Sequence, residues 1–174
     1  MDYFQVFGLS RALGIDTANL EKTFHELSRK HHPDYFTTAP KPEREQALRM
    51  TALLNDAYRT LRSPVSRVEY LLKLEGFKPD GSKVPKALLM EVFEINEQLQ
   101  DATSVEERDS LRAKIQEKAG HFDTELQKAS ADWDELLKSG AGEAKLKEQL
   151  ARLTEIVSES AYIRNLERES APHV

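Results

Sequence analysis

The chain contains no cysteine among its 174 residues. That excludes disulfides, thiolate ligation of zinc or of an iron–sulfur cluster by this chain, and cysteine nucleophiles. Glycine and proline number only 7 each, and there is a single tryptophan. So few breakers leave room for few turns and favour long helices. No apolar run approaches the ~20 residues that a membrane span requires. The opening Met1-Asp2-Tyr3 has no basic lead-in, so neither a secretory signal nor an Arg-rich transit leader is expected. What is abundant is charge, at 32% of residues with a net −5, and it is unevenly spread. Residues 1–76 carry 11 Lys and Arg against 10 Asp and Glu, and residues 77–174 carry 14 against 20. An acidic second half argues against a nucleic-acid partner, which demands many phosphate-neutralising cations. It suits a partner protein with a basic surface.

Turn signals cluster at His32-Pro33-Asp34 through Pro42, at Ser63-Pro64, at Gly76 through Pro85 (with Pro79-Asp80-Gly81-Ser82), and at Ser139-Gly140-Ala141-Gly142. Between them apolar residues recur at helical spacing, and no segment alternates with period two. The reading is all-α. A short helix over about 3–7 is capped by Asp2, and a second over 17–31 has the stripe Leu20, Phe24, Leu27, His31. A third spans about 43–62. A fourth is opened by Ser63-Pro64 and closed by Gly76. Beyond a linker, helices are expected over 86–101, 104–138 and 143–169. Ser104 and Glu107 form a capping box, and Gly120 weakens the middle of the sixth helix. Three successive helices with short connections read as an antiparallel three-helix bundle.

Two constellations stand out. In the first, the 17–31 helix turns Lys22, His25 and Arg29 away from its apolar stripe, with Lys30 at the flank. It runs into His32-Pro33-Asp34, a proline-fixed loop that displays a carboxylate, and such a loop is a docking element. In the second, helix five carries the core stripe Leu88, Val92, Ile95, Leu99. Nearly opposite lie Leu89, Met90 and Phe93, bracketed by Glu94, Glu97 and Asp101. Apolar groups rimmed by charge suggest a protein-binding patch. The alternative is that this face packs on the N-terminal half. Tyr162 falls off the main stripe of helix seven and extends the patch. No metal set is visible: His31 and His32 point apart, and His121 and His173 lack partners at ligand spacing. A helical enzyme with His32 and Asp34 as acid–base pair is the rival from another class, but no nucleophile or oxyanion donors accompany them.

The first constellation resembles the J domain of DnaJ-type co-chaperones. The matching pieces are Asp2-Tyr3-Phe4 with Phe7-Gly8-Leu9, Phe24 through Asp34, Phe36, and Leu54 through Pro64. Glu26, His31 and Tyr35 depart from the common pattern. Glu26 and Tyr35 stand where cations are usual, which fits a specialised partner. Ser66 through Phe77, Leu89-Met90-Glu91 and Tyr162 through Leu166 narrow the resemblance to the HscB/Jac-type iron–sulfur co-chaperones. That resemblance implies a J domain over 1–76 (a helical hairpin with short flanking helices), a linker over 77–85 and a scaffold-binding bundle over 86–174. It implies a cytoplasmic bacterial co-chaperone, not an enzyme, without cofactor or metal. Such a protein binds an IscU-type iron–sulfur scaffold protein, delivers it to an HscA-type chaperone and stimulates that chaperone's ATPase. The other possibility within the family is an adaptor that delivers a different client to a DnaK-type chaperone. His32, Pro33, Asp34, Lys22, Arg29 and Lys30 would meet the chaperone. Leu89, Met90, Phe93, Glu94, Glu97, Asp101 and Tyr162 would meet the scaffold. Neither nucleic acid nor membrane is implied.

Overall fold

The computed structural model describes every residue except Asp80, Ser82 and 172–174. The expectations placed on Asp80, Ser82 and His173 therefore lie outside the described residues. Seven α-helices are present among the described residues: α1 (Tyr3–Val6), α2 (Thr17–Lys30), α3 (Lys41–Arg62), α4 (Pro64–Leu74), α5 (Lys86–Asp101), α6 (Val105–Lys138) and α7 (Glu143–Ser170). A 3-10 turn, Pro33–Phe36, separates α2 from α3. No strand occurs among the described residues, so the fold is all-α as the spacing predicts. No helix among them is long and apolar enough to cross a membrane. Contacts divide the chain into two compact units, Met1–Leu71 and Leu72–Val174.

Side chains that satisfy orphan N–H groups set several helix starts. Asp2 accepts from the Gln5 N–H while Gln5 Oε1 accepts from the Asp2 N–H, a reciprocal cap. Burial alone would raise the Asp2 carboxyl pKa, but the Gln5 N–H and the Arg11 guanidinium hold it below its ordinary value. Asp16 caps α2 through the N–H groups of Ala18 and Asn19. Ser104 and Glu107 form the expected box at α6, and the Ser104 and Thr103 N–H groups lower the Glu107 pKa. The third helix begins two residues earlier than the pattern suggests. Lys41-Pro42 lies inside its first turn, where a missing N–H costs nothing. Gly76, at φ +78°, closes α4. Its N–H reaches the Lys73 carbonyl and the Phe77 N–H reaches that of Leu72. Helix α6 runs through Gly120 unbroken.

In the first unit α2 and α3 form the hairpin and α1 lies on α3. Phe4, Leu20, Leu54, Ala57, Leu61 and Val68 are buried. Phe24 stacks on Tyr58 at 4.3 Å, and Tyr3 stacks on Tyr70 at 4.3 Å while its N–H donates to the Tyr70 hydroxyl. The pattern gives no warning of Arg67, which is buried. Its guanidinium donates to the Leu61 carbonyl at 2.7 Å and to the Leu13 carbonyl, tying the end of α3 to the α1–α2 connection.

In the second unit α6 and α7 make the dominant antiparallel pair, and α5 packs more on α7 than on α6. The helical stripe of α6 runs Leu111, Ile115, Phe122, Leu126, Ala129, Trp133 and Leu136; the first six are buried and Leu136 is half-buried. On α7, Leu150, Leu153 and Val157 are buried and Leu146 is half-buried. Gln149, Ile156, Ser158, Ser160, Ile163 and Leu166 are buried too, because two helices cover it. Gln149 is satisfied by donating to the Ala129 carbonyl at 2.6 Å, and Arg152 pairs with Asp132 at 3.1 Å.

Arg67→Met should cost about 2 kcal/mol, because the charge-assisted bonds to the Leu61 and Leu13 carbonyls are lost, while the Leu13 carbonyl keeps the Ile15 N–H. Chemical denaturation of the two proteins measures it. A loss under ~0.5 kcal/mol would show that Arg67 is an ordinary surface cation.

Candidate functional site

The His32-Pro33-Asp34 segment is more structured than a loop. Pro33 denies helical dihedrals to His32, which adopts φ −62°, ψ 129° and ends α2. It also opens the Pro33–Phe36 turn, since a first-turn proline needs no N–H. His32 caps that turn, its Nδ1 accepting the Asp34 N–H at 3.3 Å. The same nitrogen lies 3.5 Å from Asp34 Oδ2. The Tyr35 N–H donates to the His32 carbonyl at 3.0 Å, and the Tyr35 ring meets the imidazole edge-on with centroids 6.2 Å apart. Thr37 Oγ1 donates to the Asp34 carbonyl at 3.3 Å, and Thr51 Oγ1 of α3 donates to that of His31 at 3.2 Å. The turn is thereby pinned to α3 while the Asp34 carboxylate faces solvent. Lys22, Arg29 and Lys30 are exposed on α2, as the helical wheel predicts. Glu21, near His25 at 3.9 Å, and Glu26 add negative charge to that helix. The structure thus gathers His32, Pro33 and Asp34 in one turn and leaves the three cations on the preceding helix.

The second candidate lies on α5. Met90 and Phe93 are 65% and 62% exposed, large values for side chains of this type. Glu94, Glu97 and Asp101 are exposed along the same helix. Leu89 differs from its expected place: it is half-buried, as are Leu88, Val92 and Leu99, and only Ile95 of the core stripe is buried. Helix α5 packs on both α6 and α7, and its apolar residues divide between core and rim. Glu91 pairs with Lys118 of α6 at 2.7 Å and anchors the exposed turn from beneath, a role the pattern did not announce. Tyr162 is half-buried on α7, and its hydroxyl stands against Gly81. The Gly81 φ of +69° favours glycine, and a Cβ there would lie a tight 3.0 Å from that oxygen. Tyr162 therefore lies against the Gly81 backbone.

On α7, Glu159 is partly buried near Glu125 and Glu155. Burial first, then these like charges, raises its pKa. No group of three or more His, Asp or Glu side chains with metal-holding geometry lies among the described residues.

The comparisons with known proteins follow the same division of the chain. The DnaJ domain family matches residues 2–70, and the HSCB C-terminal oligomerisation domain matches residues 84–170. The chain is similar to the mouse iron-sulfur cluster co-chaperone protein HscB, at 34% identity over 136 residues. That match takes in 76% of this chain but 58% of the mouse protein, less than two thirds of its length. It is similar to the co-chaperone protein HscB homolog of Neisseria meningitidis serogroup A, at 39% identity over 113 residues, 63% of this chain and 68% of that one. The crystal structure of human co-chaperone protein HscB superposes with a TM-score of 0.77 at 28% identity, covering 98% of this chain and 80% of the human one.

Because Met90 and Phe93 touch little, truncating both to Ala should change stability by no more than ~0.5 kcal/mol. Leu89→Ala should cost more, about 1–2 kcal/mol for a half-buried leucine. Melting curves distinguish these. A double variant less stable than Leu89→Ala would make the patch part of the core.

Proposed function

We propose a function from one premise: this chain belongs to the HscB co-chaperone family, with a DnaJ domain followed by the HscB C-terminal domain. In our reading it is a non-catalytic adaptor. Residues 1–76 engage an HscA-type chaperone of the Hsp70 class and stimulate its ATPase. Residues 86–174 hold an IscU-type iron–sulfur scaffold protein, so that hydrolysis is triggered where the client is presented. The cluster is the partner's cargo.

The observation that carries this is the turn at Pro33. A carboxylate fixed on a rigid, helix-anchored projection suits insertion among basic groups of a partner. Lys22, Arg29 and Lys30 add a field of opposite sign beside it. They would steer acidic surfaces of the chaperone into register, an effect felt over ~8 Å at physiological salt. Asp34 supplies the opposite charge at the end of that approach, so one orientation is favoured. On α5, Leu89, Met90 and Phe93 supply apolar anchors, and Glu94, Glu97 and Asp101 supply a rim that prefers a basic client surface. Tyr162 contributes from its place against the Gly81 backbone.

Asp34→Asn is isosteric, and the turn is held through the Asp34 backbone N–H and carbonyl rather than through its carboxylate. It should fold normally and lose stimulation of the chaperone's ATPase. Met90→Ala with Phe93→Ala should weaken scaffold binding by more than about tenfold, as loss of central anchors does, and leave stimulation by the chain alone unchanged. Steady-state ATPase assays and titration calorimetry with purified chaperone and scaffold measure both. Normal stimulation by Asp34→Asn would contradict the docking role, and undiminished scaffold binding would move the client site elsewhere.

A further inference from the structure

A solvated ion pair contributes little to binding. The Asp34 side chain is 83% exposed. Standing alone, it would offer a partner a weak and fully screened contact. Two neighbours change that.

Tyr35, the next residue, is 73% exposed, and Leu48 on α3 is 58% exposed. Apart from Met1, they are the large apolar side chains that stand exposed among the described residues of the first unit. Scattered exposed apolar residues are ordinary, but each of these two belongs to an element of the docking turn: Tyr35 to the turn itself and Leu48 to the helix that packs on it. Tyr35 shares the Asp34 turn and is locked there by its own N–H on the His32 carbonyl and by its ring against the imidazole. Leu48 lies one helical turn before Thr51, whose hydroxyl grips the His31 carbonyl at the base of the same turn, and α3 packs on that turn.

Resting on the docking role proposed above, we infer that Tyr35 and Leu48 form the apolar half of the chaperone-docking surface. They seat on an apolar strip beside the basic group that receives Asp34. The occupant is the chaperone, because Tyr35 is joined to Asp34 by a single peptide bond within a pinned turn. A protein surface that closes on the carboxylate closes on the ring as well. The apolar contact excludes water from the ion pair, which strengthens it. Tyrosine suits this role, because a rigid ring costs little side-chain entropy to hold and its hydroxyl stays wet at the rim. Tyr35 also selects partners. A chaperone that carries an acidic or strongly hydrated strip at that place gains from a lysine in this position and loses from an aromatic ring.

The two halves of the surface respond differently to salt. Steering by Lys22, Arg29 and Lys30 is screened, whereas apolar contact is not. Docking of the full chain on the intact chaperone is measured with association rates and affinities from about 0.05 M to about 1 M salt. Tyr35→Ser with Leu48→Ser should weaken affinity at least about tenfold across the whole range, with the salt slope of the association rate unchanged. Tyr35→Phe, which keeps the ring, should dock nearly as the native chain does. Both residues are exposed, so circular dichroism of the variants should match the native spectrum. Equal affinity of the double variant and the native chain at high salt overturns the inference alone. So does a native chain that self-associates through these residues, seen as a dimer in sedimentation that the double variant lacks. A native chain that does not dock on an Hsp70-class chaperone at any salt overturns this inference together with the function beneath it.

Discussion

In an all-helical protein, periodicity assigns each side chain to a face, and the core claims one face of every helix. A residue reserved for a partner must escape that assignment. This chain provides two routes. One is to stop the helix: Pro33 ends α2 and starts a 3-10 turn, so Asp34 projects from a place where no core face exists. The other is to give one helix more apolar residues than its neighbours cover, as α5 does with Met90 and Phe93. The functional geometry depends on these two departures from regular helical packing, and the rest of the molecule holds them still.

Rigidity is supplied by polar contacts as much as by the core. His32, Thr37 and Thr51 fasten the turn, each through a single bond to a neighbouring backbone group. Arg67 does the same for the junction of α1–α2 and α3–α4, and Gln149 for the α6–α7 pair. Each of these bonds spans more than the group's own helical turn, or closes a turn that lacks helical bonds. Those at the Pro33 turn fix where Asp34 stands. The charges of Lys22, Arg29, Lys30, Glu94, Glu97 and Asp101 stay exposed.

The sequence alone revealed most of the helices, because caps and stops are local chemistry. Asp2, Asp16, Ser104 with Glu107, Pro33 and Gly76 each act within four residues of their place in the chain. It revealed the Met90 and Phe93 patch because a surplus of apolar residues on a wheel is countable. It did not reveal what depends on a distant partner. Arg67 reads as a surface cation until Leu13 and Leu61 bring carbonyls to it. Gln149 and Ser160 read as solvent-facing until two helices cover α7. Leu89 reads as equivalent to Met90, yet it is half-buried where Met90 is exposed. Tyr162 reads as a member of the patch, yet its hydroxyl stands against the Gly81 turn.

The central claim is that one chain offers two separate surfaces to two different proteins. The most direct test is amide-by-amide NMR mapping of the isotope-labelled chain during titration with the chaperone and, separately, with the scaffold. The chaperone is expected to shift resonances from Lys22 through Tyr35 and near Leu48, and the scaffold those from Leu89 through Asp101. Each set should persist when the other partner is already bound. Overlapping sets, or displacement of one partner by the other, would contradict the claim.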